Sequence, residues 1–212
     1  MPTFGVLGSG DVGQVLAKGL KDHGYEVRIG SRTPAKLAKY SRETGITAGT
    51  FAEVGRCGEA LVLSVPGSAA ESVLGMVGKD QVSGKLIIDT TNPTTEDPPE
   101  QGVLRSFTGP NESLMERLQR AHPTARFVKA FNSVGSDRMV DPDFQGIRPT
   151  MFYCGNDAQA KGVVARILDQ FGWEAADMGG ALAARAIEPL AVLWCIPGFL
   201  EDNWTHAFKL LR

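Results

Sequence analysis

Cysteine is scarce in this chain of 212 residues: Cys57, Cys154 and Cys195 are the only ones, odd in number and far apart. That excludes a disulfide framework and the close paired spacing of a structural zinc site, and it leaves each as a small buried hydrophobe. Histidine is equally thin. His23, His122 and His206 are scattered, none with an obvious carboxylate partner in sequence, so they read as surface or helix-end residues rather than general bases. No unbroken apolar run approaches the roughly 18 residues of a membrane span. Met1-Pro2-Thr3 leads straight into the first strand with no room for a signal peptide, and a cytoplasmic protein is the expectation. Nor is there a surplus of charge: 22 Lys and Arg stand against 24 Asp and Glu, so a net charge of −2 gives no general attraction to nucleic acid or anionic membrane. The length suits one domain with at most a small extension.

What is present is concentrated at the start. Residues 3–7 form a short apolar strand that runs into Gly8-Ser9-Gly10-Asp11-Val12-Gly13 and then a helical stretch over 14–22. Gly8 suits a tight turn, Gly10 a close backbone approach to a pyrophosphate, and Gly13 close packing of helix on strand. The anion would sit on free N–H groups at the helix N-terminus, where the dipole favours negative charge. Glycine turns are common and a purely structural one is the alternative. The preceding strand, the following helix and a second strand at 26–29 together favour dinucleotide binding.

The second strand chooses the cofactor. A free ribose 2′-hydroxyl is usually held by an acidic residue about 20 positions beyond the glycines. Here Val27-Arg28-Ile29-Gly30 continues into Ser31-Arg32-Thr33-Pro34 with Lys36 nearby, and no carboxylate occurs from 27 to 40. Hydroxyls, a rigid guanidinium fork and a lysine suit a 2′-phosphate, so NADP is read rather than NAD. Ser31 or Thr33 also reads as an ordinary N-cap before Pro34, and the two roles are compatible.

Further strands are expected at 45–48, 59–66, 85–89 and 125–131, with helices over 34–44, from 50 or 51 to 56, around 68–77 and from 111–113 to 121. The near-continuous apolar runs are those of parallel strands buried on both faces. Their ends carry polar residues: Ser64-Val65-Pro66, Asn92-Pro93 and Asn132-Ser133. Each is an unremarkable turn residue alone, but ligands bind outside the carboxyl ends of such strands, and three such ends on the side of the glycine turn make a site. Lys129 is a candidate proton donor, otherwise a solvated charge. Residues 94–110 form a long loop, either a tolerated insertion or a lid. Strands at 150–154 and 173–178 flank a helix reaching 171. From 181 to the end the pattern is helical, broken by Pro189 and Pro197, and rich in large apolar residues including Trp194 and Trp204. That surplus suggests a substrate pocket or a subunit interface. The reading is an α/β chain: a Rossmann-type, doubly wound, mainly parallel sheet over 1–180, with a helical extension over 181–212.

The runs 5–13, 29–33, 63–66, 89–93 and 128–132 together resemble the F420-dependent NADP oxidoreductases, and the reductase domains of membrane ferric reductases look similar. The likeness reaches Arg185-Ala-Ile-Glu-Pro-Leu190 in the tail. It implies that Ser9 and Ser31-Arg32-Thr33 line the 2′-phosphate side, that Ser64-Val65-Pro66 and Asn92-Pro93 border the nicotinamide ribose, and that Ala130-Phe131-Asn132 lies beside the nicotinamide and the acceptor. The long loop and the tail segment 194–199, with Trp194 and Pro197, depart from the compact deazaflavin enzymes and bear on the acceptor side.

The expectation is an NADP(H)-dependent oxidoreductase passing hydride to a flavin-like or deazaflavin (F420) acceptor, with no protein nucleophile required. A flavin or ferric reductase and a non-catalytic NADP(H)-binding redox sensor remain open. A hydroxy-acid or imine dehydrogenase would want a longer second domain than about 30 residues. A homodimer through 194–208 is expected.

Overall fold

The computed structural model describes residues 2–212. In chain order the elements are β1 (Phe4–Leu7), α1 (Asp11–Asp22), β2 (Val27–Gly30), α2 (Ala38–Thr44), β3 (Thr47–Gly49), α3 (Phe51–Cys57), β4 (Ala60–Leu63), α4 (Ala70–Val77), α5 (Lys79–Val82), β5 (Leu86–Asp89), α6 (Leu114–Ala121), β6 (Arg126–Lys129), β7 (Thr150–Gly155), α7 (Ala158–Gln170), β8 (Glu174–Asp177) and α8 (Ala184–Glu201). The strands make one sheet in the order β3-β2-β1-β4-β5-β6-β7-β8. All neighbours are parallel except β6 and β7. The chain winds outward from β1 in one direction and from β4 in the other, which opens a crevice at their shared carboxyl edge. This is the doubly wound, mainly parallel Rossmann-type sheet that the sequence predicts.

Alternation along the strands divides the core into two layers. In β4, Ala60 and Val62 face the layer that holds Leu16 and Leu20 of α1 and Val164 and Ile167 of α7. Leu61 and Leu63 face the layer built on Val54 of α3, Leu74 of α4, Leu118 of α6 and Ile187 of α8. Burial on both faces is why these strands carry no polar alternation.

The tail departs from expectation. The helix was expected to run to the chain end with breaks at its prolines; instead α8 continues through Pro189 and Pro197 and stops at Asp202, whose φ is +54°. Residues 202–212 then turn back as a non-helical strap. Proline inside a helix removes a donor and clashes with the preceding turn, at a cost of about 3 kcal/mol. The strap packs on the second half of α8, around Pro197. Trp194 Nε1 donates to the His206 carbonyl at 2.8 Å, and the His206 ring stacks on Trp194 with 5.0 Å between centroids. The Thr150 N–H donates to the Phe208 carbonyl at 2.8 Å, tying the strap to β7. No unbroken apolar run is present here, yet Ala181–Glu201 is a helix long and apolar enough to cross a membrane by length and composition alone. Arg185 and Glu188 interrupt the run, and both are engaged inside the fold, with Glu116 and Lys129 respectively.

The loop over 94–110 is a small ribbon. Antiparallel bridges join Thr94 to Ser106 and Glu100 to Val103, and the Arg117 guanidinium lies over the Phe107 ring at 5.6 Å.

Candidate active site

The glycine turn and the ends of β2 and β4 enclose one cavity of about 680 Å³. Gly8 has φ +143°, and a Cβ there would stand 2.0 Å from the Ser64 carbonyl oxygen, so the turn and β4 touch through bare backbone. Gly10 differs. A Cβ at Gly10 would meet nothing within 4 Å, because it would project into the open cavity. Gly10 is also the N-cap of α1 and makes no side-chain cap bond, so the first-turn N–H groups stay available to an anion. Asp11 and Val12 belong to that turn; Asp11 is exposed and Val12 half-buried against the core.

Beyond β2 the cavity wall carries Ser31, Arg32, Thr33 and Lys36. Ser9 Oγ donates to Ser31 Oγ at 3.2 Å, and Ser31 Oγ accepts the Thr33 N–H at 3.1 Å, so a chain of hydroxyls links the glycine turn to the cationic end. Lys39 is occupied by Glu43 at 3.8 Å, whereas Arg32 and Lys36 make no ion pair among the described residues. These groups fit a dinucleotide that bears an additional phosphate. The sequence reading missed other wall residues: Ser68 just before α4, Ser72 and Met76 along it, and Glu96 from the long loop. The helix after the Ser64-Val65-Pro66 end could have suggested the first three. Glu96 belongs to the 94–110 loop, whose reading as a lid is the one sequence signal for it.

At the ends of β5 and β6 the two predicted asparagines meet. Asn132 Nδ2 donates to Asn92 Oδ1 at 3.0 Å and to the Ile187 carbonyl of α8 at 3.0 Å. Asn92 Nδ2 donates to the Asn132 carbonyl at 2.8 Å. Both acceptors of the Asn132 amide nitrogen fix which way that group points. Its Oδ1 is buried with no hydrogen-bond partner among the described residues, and neither asparagine belongs to the lining of the 680 Å³ cavity. The neighbouring Phe131 holds φ at +61°, a strained value for a bulky residue. Its ring and Ala130 are buried in the core, so these two shape the turn that presents Asn132.

A family pattern described as NADP oxidoreductase, coenzyme F420-dependent, matches residues 3–93. The crystal structure of a candidate F420-dependent NADP reductase from Arthrobacter sp. FB24 is 32% identical, covers 100% of both chains and superposes with a TM-score of 0.92. The chain belongs to the F420-dependent NADP oxidoreductase family. It is also 30% identical over 204 residues to metalloreductase STEAP3 of Rattus norvegicus, a match covering 94% of this chain and 39% of that protein. An imine reductase of Streptomyces aurantiacus shares the fold at 20% identity and a TM-score of 0.67, over 93% of this chain and 63% of the other.

On the acceptor side, the chain departs from its sequence reading. Trp194 lies under the strap beside Trp204 and His206, and the Pro197 carbonyl accepts the N–H groups of Asp202 and Asn203. Neither lines the cofactor cavity. The tail aromatics serve packing of the strap, which their surplus over one helix stripe could not distinguish from a binding wall. The first half of α8 is what comes close to the sheet end. There a second pocket of about 180 Å³ opens between the loop and α8, walled by Pro93, Thr94, Ser106, Pro110, Pro189 and Val192, with Arg185 and Glu188 at its polar side.

Lys129 is no solvated charge. It is 0% exposed, as is Asp89, and Glu188 is 2% exposed. Its Nζ stands 2.7 Å from Asp89 Oδ2 and 2.9 Å from Glu188 Oε1. Burial alone would lower the Lys129 pKa, but the two carboxylates outweigh it and hold the ammonium above its ordinary range. His23 pairs with Asp141 at 3.3 Å, and burial pushes the Cys154 thiol up to about 12, which makes it inert.

Proposed function

We propose that the chain binds NADP(H) along the 680 Å³ cavity and exchanges hydride with a flat deazaflavin- or flavin-type acceptor at the sheet end. The observation that carries this reading is the buried, partnerless Oδ1 of Asn132 beside Asn92, a group suited to accept from the nicotinamide carboxamide. The first turn of α1 receives the pyrophosphate, Ser31, Arg32, Thr33 and Lys36 receive the 2′-phosphate, and Ser64-Val65-Pro66 borders the ribose. When bound, NADPH supplies the hydride, and the protein orients the ring and excludes water. Asn92 is followed by Pro93, a wall of the second pocket, and Asn132 bonds to Ile187, next to Glu188 of the same wall. On this reading an acceptor ring edge would enter at that pocket, one residue along the chain from Asn92 and from the Ile187 carbonyl.

A flavin-mediated ferric reductase is the second reading, favoured by the likeness to STEAP3 along nearly the whole chain. We place the enzyme in the cytoplasm and expect a homodimer through the exposed Leu193, Phe199 and Leu200 of α8, to be checked by sedimentation. Anaerobic NADPH oxidation with F420, FMN, FAD and a ferric chelate, each alone and with NADH as control, separates the readings. Turnover with F420 supports the first, turnover with flavin or ferric chelate the second. Tight NADPH binding with no turnover on any acceptor indicates a redox sensor.

A further inference from the structure

The last residues of β5 and β6, Asp89 and Lys129, are in register. Three positions beyond each stands an asparagine, Asn92 and Asn132, and these pair as the charges do. Two adjacent residues of α8 close both rungs: the Glu188 carboxylate meets Lys129, and the Ile187 carbonyl accepts from Asn132. Lys129 Nζ, ion-paired with both carboxylates, donates its hydrogen bond to the Thr91 carbonyl at 2.7 Å, within the turn that leads to Asn92. Glu188 also accepts the N–H groups of Leu114 and Met115, at 2.9 and 3.0 Å, and so joins the start of α6 to the same cluster. Asp89 Oδ1 accepts the Thr91 N–H and hydroxyl.

Apolar residues of similar volume would hold a helix on a sheet at least as well, because three buried charges carry a large desolvation penalty. What charges add is placement: an ammonium that donates to the Thr91 carbonyl and stands within 2.9 Å of two buried carboxylates holds β5, the turn after it and α8 at fixed distances. We infer that Lys129, Asp89 and Glu188 are positioning residues for hydride transfer, setting α8 and the 90–92 turn so that Ile187 and Asn92 aim the Asn132 amide at the nicotinamide. This rests on the reading that Asn132 faces that ring.

The test uses the full chain with Lys129→Met and the milder Glu188→Gln, and Trp204→Leu as a control that loosens the far end of α8. Side-chain amide resonances of Asn92 and Asn132 are recorded by NMR, NADPH affinity by fluorescence, and hydride transfer in single turnover. Both cluster variants should move the two amide resonances and slow hydride transfer at least tenfold, with NADPH affinity within about threefold of wild type. Trp204→Leu should lower the melting temperature and move neither readout. If Lys129→Met does not fold, Glu188→Gln decides alone. Amide resonances and transfer rate unchanged in Glu188→Gln, with only the melting temperature lowered, would overturn the inference. If the wild type turns over no acceptor, the resonances still decide the positioning; an Asn132 resonance indifferent to NADPH would instead sink the assignment of Asn132 to the nicotinamide.

Discussion

The two ends of the crevice are built in different ways. The glycine end is backbone: Gly8 touches β4 without a side chain, Gly10 leaves space, and free N–H groups wait at α1. The asparagine end is side chain, oriented by buried charges and a helix that arrives about 50 residues later in the chain. A backbone site can be written in a short motif, whereas a side-chain site depends on partners distant in sequence. Substitutions should separate the two ends.

The largest effect is expected at Lys129. Lys129→Met leaves two carboxylates buried without their cation and should cost about 3–5 kcal/mol in chemical denaturation. Gly8→Ala follows, since its Cβ must displace the Ser64 carbonyl at a strained φ; about 2–4 kcal/mol is expected, with loss of NADPH binding. Gly10→Ala sharpens the contrast. Its Cβ enters open space, so stability should stay within about 0.5 kcal/mol while NADPH affinity falls. A large stability loss in Gly10→Ala would show that the turn is packed rather than a cradle.

Smaller effects are expected on the strap and the surface. Gly198→Ala drives a Cβ to 2.3 Å from the Trp204 ring and should cost about 1–3 kcal/mol, with NADPH affinity unaltered. The Glu116 carboxyl is lowered to about 2, first by its hydrogen bonds with Arg185. A carboxylate with a lowered folded pKa contributes stability above its unfolded value near 4.5, and that contribution is lost as pH falls toward about 2. Arg185→Met should therefore flatten the acid limb of the stability profile between those values and leave it unchanged near neutrality relative to its own plateau.

Legibility followed the same division. The strand-turn-helix at 4–22, the absence of a carboxylate after β2 and the polar ends of β4, β5 and β6 could be read because each is local. Lys129 could not, since its partner Glu188 belongs to another element and a lone lysine at a strand end looks solvated. Pro189 and Pro197 read as breaks because local propensity cannot register the strap that holds α8 together. The tail's aromatic and proline content points to Trp194 and Pro197 on the acceptor side, yet both pack with the strap; the pocket lies between Pro93, which the strand-end pattern does name, and Pro189, which nothing local marks.

Cofactor choice turns on whether the cavity end at Arg32 holds a 2′-phosphate. The measurement is the dissociation constant of NADPH and of NADH, by cofactor fluorescence, for wild type and Arg32→Ala. A lost charge-assisted contact is worth about 1.5–3 kcal/mol, so NADPH should weaken roughly ten- to a hundredfold while NADH changes little. Equal losses for both cofactors, or a wild type that prefers NADH, would contradict a 2′-phosphate site there.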